Sequence, residues 1–506
     1  MVSSTKANNI KPITTQVSSL LERSGIPPSL RPAVLTAIRA YGLTWSITTV
    51  PGVIGIFIKA LLQMSRRLAN SSSALTASAP LRKALTRDLP RILGNSFSRN
   101  GFPFLVAGAF TGHHFLTFLL QHHLVQRKHN INIRRKTAIF LTAAASMWAV
   151  RRAFPNTKTL DFTFFALVRA LDVMAHRAYD SPMIKKKVPS WMLEYGSVGV
   201  FTIACTEIMF TWFYQPELLP RSYSLWITKM SEMDDRLLKA LRAIRNKEWI
   251  YGKDTGMENL LGDYALELGL PKEMGNPMTG RIPCQLVHQG QNYGCEVYSM
   301  NRFIKGFIKI FPLYFTVHFT PHLLFRAARL MQNPGTTLLH ILKASTRSSA
   351  FLASFITIIW YSICLTRTRI GHQLLNINQT RLDDTLGPLI GCMLCGLSLL
   401  IESRHRRGEM ALYVVPRALY SLTEKLLGPY QKGRWWESMV AEGAETLLFA
   451  GSVTILLDTM FKNKSNVRSS VRGLLTWILK SELPAEEEKG GSEVTKQNEL
   501  NGHISA

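Results

Sequence analysis

The sequence predicts an all-α, polytopic membrane helix bundle built from two homologous halves. Two observations lead to this prediction. Long apolar stretches recur along the 506 residues, and basic segments separate them. The chain also repeats itself, because Arg169-Ala170-Leu171 recurs as Arg417-Ala418-Leu419 at a spacing of 248 residues, and Glu194 and Glu442 share that spacing. Internal repeats of apolar helices are common in transporters and other membrane proteins.

Eight apolar stretches approach or reach the roughly 20 residues that a helix needs to cross the hydrocarbon core. They are Val34–Leu62, Phe102–Leu120, Thr137–Val150, Tyr195–Phe213, Phe303–Phe325, Ala350–Leu365, Leu386–Ile401 and Gly443–Met460. Two further segments, Leu160–Ala178 and Met410–Leu427, are amphipathic, so we expect helices that face the bundle interior. Small residues such as Gly108, Gly112 and Gly396 predict close packing between helices.

The repeats and the changes in composition divide the chain into five segments. A polar N-terminal segment, 1–27, shows no cleavable signal peptide and precedes the first membrane helical repeat, 28–219. An extramembrane linker, 220–298, contains a predicted amphipathic helix over Trp226–Trp249 and a Cys/His loop. The second membrane helical repeat, 299–480, is followed by an acidic C-terminal tail, 481–506, whose polar composition predicts disorder.

The net charge of +27 belongs mainly to the connections between the apolar stretches. Clusters such as Lys185-Lys186-Lys187 and Arg404-His405-Arg406-Arg407 flank these stretches and belong to no recognisable nucleic-acid-binding module, so nucleic acid is excluded as a partner. The predicted partner is a lipid bilayer with anionic headgroups, which attract each nearby basic residue by about 1 kcal/mol. Consecutive connections are both basic, so the charges do not define the membrane orientation.

A loop before the second repeat carries the pattern Cys284-x3-His288-x6-Cys295. Three hypotheses fit it: a zinc site, a Cys284–Cys295 disulfide, or a loop that contains two thiols without binding a metal. A structural zinc site needs four ligands, and His318 or His322 are candidates for the fourth. The other four cysteines, Cys205, Cys364, Cys392 and Cys395, lie in apolar stretches and are interpreted as small hydrophobic residues.

The repeated charges are the strongest candidates for residues that act inside the membrane. Arg169 and Arg417 lie in apolar surroundings, and Glu194 and Glu442 open the next apolar segment of each repeat. An intramembrane charge is costly unless it is paired or hydrated. We therefore predict two equivalent ion pairs, Arg169–Glu194 and Arg417–Glu442, which either hold the helices in register or line a solute pathway.

The region around the second repeat resembles the transmembrane protein 135 family. The matching features are Cys284, His288, Cys295, Phe303, Phe311-Pro312-Leu313-Tyr314, Pro321-His322-Leu323-Leu324 and Arg347-Ser348-Ser349-Ala350-Phe351-Leu352. The similarity extends weakly over residues 30–475, and each half is also distantly similar to the inner mitochondrial membrane translocase family. The resemblance implies a multi-pass protein of peroxisomal or mitochondrial membranes, with the peroxisome favoured, linked to organelle dynamics and lipid homeostasis. It implies no catalytic residue.

The sequence therefore predicts a non-enzymatic membrane protein that acts in organelle dynamics and lipid homeostasis. The alternative is a transporter or channel for a small molecule at the interface of the two repeats. No cofactor is predicted, apart from zinc as one alternative at the Cys/His loop. A homo-oligomer is compatible with these features.

Overall fold

The computed structural model describes residues 25–69, 74–98, 101–123, 131–155, 157, 159–325, 327–427 and 435–480. The predicted acidic tail, 481–506, and residues 1–24 of the N-terminal segment lie outside this part of the chain. Within it, helices joined by turns and loops account for the structure, and there is no strand. The predicted all-α fold is therefore confirmed.

Eight helices lie in the described part of the predicted first repeat. They are α1 (Arg31–Ala69), α2 (Ala74–Lys83), α3 (Leu89–Ser98), α4 (Phe102–His123), α5 (Ile131–Ala153), α6 (Leu160–Tyr179), α7 (Pro182–Lys187) and α8 (Ser190–Tyr214). A π-helical turn, Ala84–Asp88, connects α2 to α3, and a 3-10 turn, Pro216–Leu218, follows α8.

The linker contains four short helices. They are α9 (Arg221–Ser231), α10 (Asp235–Arg245), α11 (Glu258–Glu267) and α12 (Cys284–Val287), with 3-10 turns at Lys272–Gly275 and Pro277–Thr279. The single amphipathic helix predicted over Trp226–Trp249 is wrong, because two helices occupy this segment. The break lies at Glu232, whose φ of 49° is left-handed, and at Asp234, whose side chain accepts a hydrogen bond from Arg236 N at 2.8 Å and caps α10.

The predicted second repeat forms the remaining helices. They are α13 (Cys295–Phe325), α14 (Ala327–Gln332), α15 (Pro334–Leu365), α16 (Gln379–Arg381), α17 (Gly387–Cys395), α18 (Arg404–Leu427), α19 (Trp435–Lys462) and α20 (Ser469–Ile478). Two π-helical segments, Thr366–Leu374 and Leu382–Leu386, and a 3-10 segment, Gly396–Ile401, extend α15, α16 and α17. A further 3-10 turn, Lys464–Asn466, precedes α20.

Among the described residues, four helical segments are long and apolar enough to cross a membrane. They are Ser190–Tyr214, Pro334–Leu374, Gln379–Ile401 and Val440–Lys462. Each contains one of the apolar stretches singled out in the sequence, and the other four stretches also lie in helices. By the length and apolarity of these helices, the chain is an integral membrane protein.

The chain divides into two compact units whose bounds differ from those of the predicted repeats. The first unit comprises Met1–Ser181 and Arg434–Ala506, and the second comprises Pro182–Gly433. In the first unit, α5 and α19 supply fully buried side chains such as Ile139, Met147 and Leu457 to one apolar core. In the second unit, α8 and α17 contribute buried side chains, such as that of Trp212, to another core.

The helices of the two units pack in a corresponding order. In the first unit, α4 packs against α1 and α5, and α19 packs against α5 and α6. In the second unit, α15 packs against α13 and α17, and α8 packs against α17 and α18. Moreover, α5 and the span Gln379–Ile401 both have 23 residues and begin and end 248 positions apart.

Each unit thus contains the earlier helices of one predicted repeat together with the last long helix of the other repeat, α8 or α19. This correspondence is expected if the chain arose by duplication and the last long helix of each copy, α8 or α19, came to pack in the unit of the other copy. The homology of the two halves stays a prediction.

Candidate functional site

An apolar cavity of about 460 Å³ lies within the second unit. Helices α8, α9, α13, α15 and α18 form its walls. Successive turns of α8 direct Phe201, Cys205, Ile208 and Trp212 to one face, because residues separated by three or four positions share a face of a helix. The volume falls within the range of about 300–1,000 Å³ that is typical of small-molecule sites.

The other walls of the cavity follow the same helical periodicity. Helix α15 contributes Phe351, Phe355 and Ile359, and α13 contributes Leu313 and Val317. Leu313 and Val317 are each about half exposed. The cavity therefore combines a predominantly aromatic and aliphatic interior with an accessible side at α13.

Among the described residues that line this cavity, Arg417 is the one cationic residue. Its guanidinium carbon lies 5.9 Å from the ring centre of Tyr223, within the range of a cation–π contact. Burial raises the pKa of Tyr223, so the phenol is neutral and contributes a hydroxyl group to the lining. The predicted intramembrane arginine of the second repeat thus borders an apolar space.

The other charged residues predicted to pair have partners within their own units. In the second unit, Arg404 Nη2 lies 2.6 Å from Glu194 Oε1. In the first unit, the buried Arg169 lies over the ring of Phe165 at 5.3 Å, and the carbonyl oxygen of Glu442 accepts a hydrogen bond from Arg151. Arg169 and Glu194 belong to different units, as do Arg417 and Glu442. The two predicted pairings stay predictions.

A different pair of charges corresponds between the two units. In the second unit, Lys425 Nζ lies 2.7 Å from Glu207 Oε1, and Ser421 donates a hydrogen bond to the same oxygen at 3.1 Å. In the first unit, Arg177 Nη2 lies 3.9 Å from Asp458 Oδ2. Arg177 and Lys425 are separated by the 248-residue spacing of the predicted repeat. The sequence repeat did not reveal these pairs. Glu207 and Asp458 depart from the 248-residue spacing by about one helical turn, although Arg177 and Lys425 follow it.

Asp458 is surrounded by basic side chains in the first unit. Its carboxylate is buried and lies 3.3–3.5 Å from the charged nitrogens of Arg135, Lys136 and Lys462, in addition to Arg177. These four basic side chains are between 30% and 45% exposed. Four positive charges therefore surround one negative charge at one end of the span Val440–Lys462. This excess of partly exposed positive charge attracts anions.

The two histidines considered as further metal ligands belong to a separate polar cluster. His318 Nε2 lies 3.3 Å from Ser348 Oγ, and Ser348 donates a hydrogen bond of 2.5 Å to the fully buried Glu402. Arg406 lies 3.7 Å from Glu402 and balances its charge. His322 Nδ1 lies 2.9 Å from the carbonyl oxygen of His318. This cluster joins α13, α15 and α18 by polar contacts.

The fold brings two of the three predicted ligands, His288 and Cys295, together with a further cysteine, Cys364. The side-chain ligand atoms of His288, Cys295 and Cys364 all lie within 4.8 Å of one another. Cys284 lies outside this group, and its thiol interacts electrostatically with those of Cys295 and Cys364. Both Cys284 and Cys295 are free thiols, so the alternative disulfide is not formed in this structure.

Cys364 is the ligand candidate that sequence reasoning missed. It lies in the last turn of α15 and is buried, as expected for a cysteine of an apolar stretch. Its Sγ nevertheless lies 3.8 Å from His288 Nε2. Cys392 and Cys395, by contrast, are fully buried, and Cys395 Sγ donates a hydrogen bond to the carbonyl oxygen of Cys392. Their interpretation as small hydrophobic residues agrees with this burial.

The backbone around His288 turns sharply enough to place these side chains side by side. Pro283 precedes α12, and His288 N donates a hydrogen bond of 2.7 Å to the carbonyl oxygen of Cys284. Gln289 and Gly290 then adopt φ values of 57° and 79°.

Protein-family models, curated proteins and solved structures were all compared with the chain, and none of them matches it.

Proposed function

We propose that the protein binds a lipid acyl chain with an anionic headgroup in the cavity of its second unit, and acts without catalysis in organelle dynamics and lipid homeostasis. The observation that carries this proposal is the apolar cavity with Arg417 in its lining. An acyl chain can occupy the space between the aromatic and aliphatic walls. The guanidinium can then pair with a carboxylate or phosphate.

The location of the cavity supports a ligand that arrives from the bilayer. Three of the four candidate membrane spans, Ser190–Tyr214, Pro334–Leu374 and Gln379–Ile401, belong to the second unit. The first two of these spans supply cavity walls. Leu313 and Val317 form an accessible apolar edge beside them. A hydrophobic ligand entering along this edge would not need to pass through water.

Binding of a radiolabelled long-chain fatty acid to the purified full chain in detergent tests this proposal. Val317→Trp should obstruct the accessible edge and weaken binding at least tenfold. Ile308→Trp is the matched control, because Ile308 is also an exposed residue of α13 but lies outside the lining, so this variant should bind normally. Arg417→Gln should weaken binding of the fatty acid more than binding of its uncharged methyl ester. Equal binding by wild type, Val317→Trp and Arg417→Gln would overturn the proposal.

We also propose that the protein resides in the peroxisomal membrane, with the mitochondrial membrane as the alternative. The support for either organelle is the resemblance to the transmembrane protein 135 family. Fractionation of a tagged copy followed by alkaline carbonate extraction tests the location. Retention in the peroxisomal or mitochondrial membrane pellet supports the proposal, whereas retention in another membrane contradicts it.

Transport of a small molecule is the second candidate function, and the Glu207–Lys425 pair favours it. Both charges are less than 30% exposed, and Glu207 lies within a candidate span. Charged residues inside membrane spans often mark the pathways of ions or solutes. Reconstitution into liposomes separates the two functions. Solute flux that is lost in Glu207→Gln, with fatty-acid binding unchanged, would favour transport.

A further inference from the structure

We propose that Cys284, His288, Cys295 and Cys364 bind one zinc ion that fastens the linker to the candidate membrane span Pro334–Leu374. This inference is independent of lipid binding. Cys284 and His288 lie before α13, Cys295 is the first residue of α13, and Cys364 lies in the last turn of α15. Three thiolates and one imidazole form one of the common ligand sets of structural zinc sites.

The separations among three of the four ligand atoms are close to those that zinc requires. Zinc–sulfur bonds of about 2.3 Å and zinc–nitrogen bonds of about 2.0–2.1 Å at tetrahedral angles place ligand atoms about 3.6–3.8 Å apart. The observed distance between Cys364 Sγ and His288 Nε2 is 3.8 Å. The distances among His288, Cys295 and Cys364 do not exceed 4.8 Å. Rotamer adjustments of about 1 Å or less would therefore complete the coordination of these three ligands.

The surroundings of His288 hold its ring in place for metal binding. The ring is buried and stacks on Tyr298, with ring centres 4.3 Å apart and planes inclined by 18°. Burial and stacking together restrict the orientation of the ring. The ring nitrogen near Cys364 is Nε2, which is the nitrogen that would bind the ion.

The positive charge of Arg302 near the ligands favours the charged form of the site, whereas the charge of Arg367 is balanced by Asp383. Zinc with three thiolates carries a net charge of −1, because each thiol loses its proton on binding. Arg302 and Arg367 both interact electrostatically with His288. Arg367 also donates a hydrogen bond of 3.0 Å to the carbonyl oxygen of Ile282, two residues before Cys284. This contact holds the loop against the end of α15 and brings Cys284 towards Cys364.

The measurement is the zinc content of the full chain, purified in detergent with a tag that lacks histidine and cysteine. Wild type should contain about one zinc ion per chain, as a closed four-ligand site would. Cys364→Ser should lose the metal. Cys205→Ser should retain it, and this control is matched because Cys205 is also a buried cysteine of a membrane span, 4% exposed compared with 5% for Cys364. Loss of zinc in Cys364→Ser alone supports the proposal.

Cobalt exchange into wild type keeps the proposal testable even where a variant fails to fold. Cobalt bound by these ligands should show thiolate-to-metal charge-transfer bands and the visible bands of tetrahedral coordination. Wild type that contains no stoichiometric zinc and shows no such bands would overturn the proposal. So would an intact-mass measurement that finds a Cys284–Cys295 disulfide in the membrane-inserted protein.

Discussion

Breaking the ion pair between Arg367 and Asp383 should strongly destabilise the second unit. The two side chains are 12% and 5% exposed. Arg367 contacts Asp383 through two guanidinium nitrogens, and Tyr251 donates a hydrogen bond of 2.6 Å to Asp383 Oδ2. The pair thereby connects the linker to two candidate membrane spans. In Asp383→Asn, Arg367 would remain buried without its counter-charge.

The structure sets the expected size of this effect. Removal of one partner from a buried ion pair typically costs about 3–5 kcal/mol, because the remaining charge is left uncompensated. Asparagine keeps an oxygen that can accept the hydrogen bond from Tyr251, so we expect a value near the lower end, about 3 kcal/mol. Replacement of both charges in Arg367→Met/Asp383→Leu removes the uncompensated charge. The double variant should therefore be more stable than Asp383→Asn by about 1 kcal/mol or more.

Unfolding by sodium dodecyl sulfate in mixed micelles, followed by tryptophan fluorescence, measures these free energies. Glu296→Gln is the control, because its partner Arg369 and Glu296 itself are 59% and 47% exposed. An exposed pair contributes about 0–1 kcal/mol. The reasoning fails if Asp383→Asn is no less stable than the control. It also fails if the double variant is less stable than the single variant.

Three further predictions concern other parts of the chain. Asp458→Asn should lower the free energy of unfolding by about 3 kcal/mol, because four basic groups surround this buried carboxylate. The measurement is hydrogen exchange, which should become faster in the first unit only. Gly396→Ala should lower the free energy of unfolding in the detergent titration by about 1–3 kcal/mol. The reason is that a Cβ atom at this position would lie 2.4 Å from Thr202 Oγ1 and 2.5 Å from Thr202 Cα. Unchanged stability would contradict this close contact. Asp234→Ala should cost about 1 kcal/mol at neutral pH through loss of the α10 cap. Burial raises the pKa of Asp234, but hydrogen bonds from Arg236 outweigh burial and hold this pKa below 3.8. The stabilisation by the cap is therefore present above pH 3.8 and is lost as the pH falls through the folded-state pKa. If the cost of Asp234→Ala stayed constant in acid, it would contradict this account.

The sequence predicted the helices well because their signal is local. Apolar runs and helical spacing depend on neighbouring residues, and all eight apolar stretches lie in helices. The failure in the linker is also local in origin. The apolar spacing continues through residues 226–249, but Glu232 takes a left-handed conformation and Asp234 caps a new helix. Hydrophobic periodicity does not reveal such a change in backbone direction.

The candidate sites also contain some residues that the sequence reveals and others that it does not. The spacing of Cys284, His288 and Cys295 is visible in the sequence, because these residues lie in one short segment. Cys364 could not be assigned to them, since it is remote in the chain and lies in an apolar helix like any buried cysteine. The cavity is similarly invisible, because five helices contribute its walls. Only their packing places Arg417 beside Tyr223.

By itself, the sequence determined that the protein is helical and rich in apolar segments, with basic connections and a 248-residue spacing between similar segments. The tertiary structure alone decided which helices pack together. Helix α8 lies in the same unit as α18, and α19 lies in the same unit as α6. The physical reason is that a helix sequence specifies its apolar face, whereas its partner depends on complementary surfaces and charges supplied by residues far away in the chain.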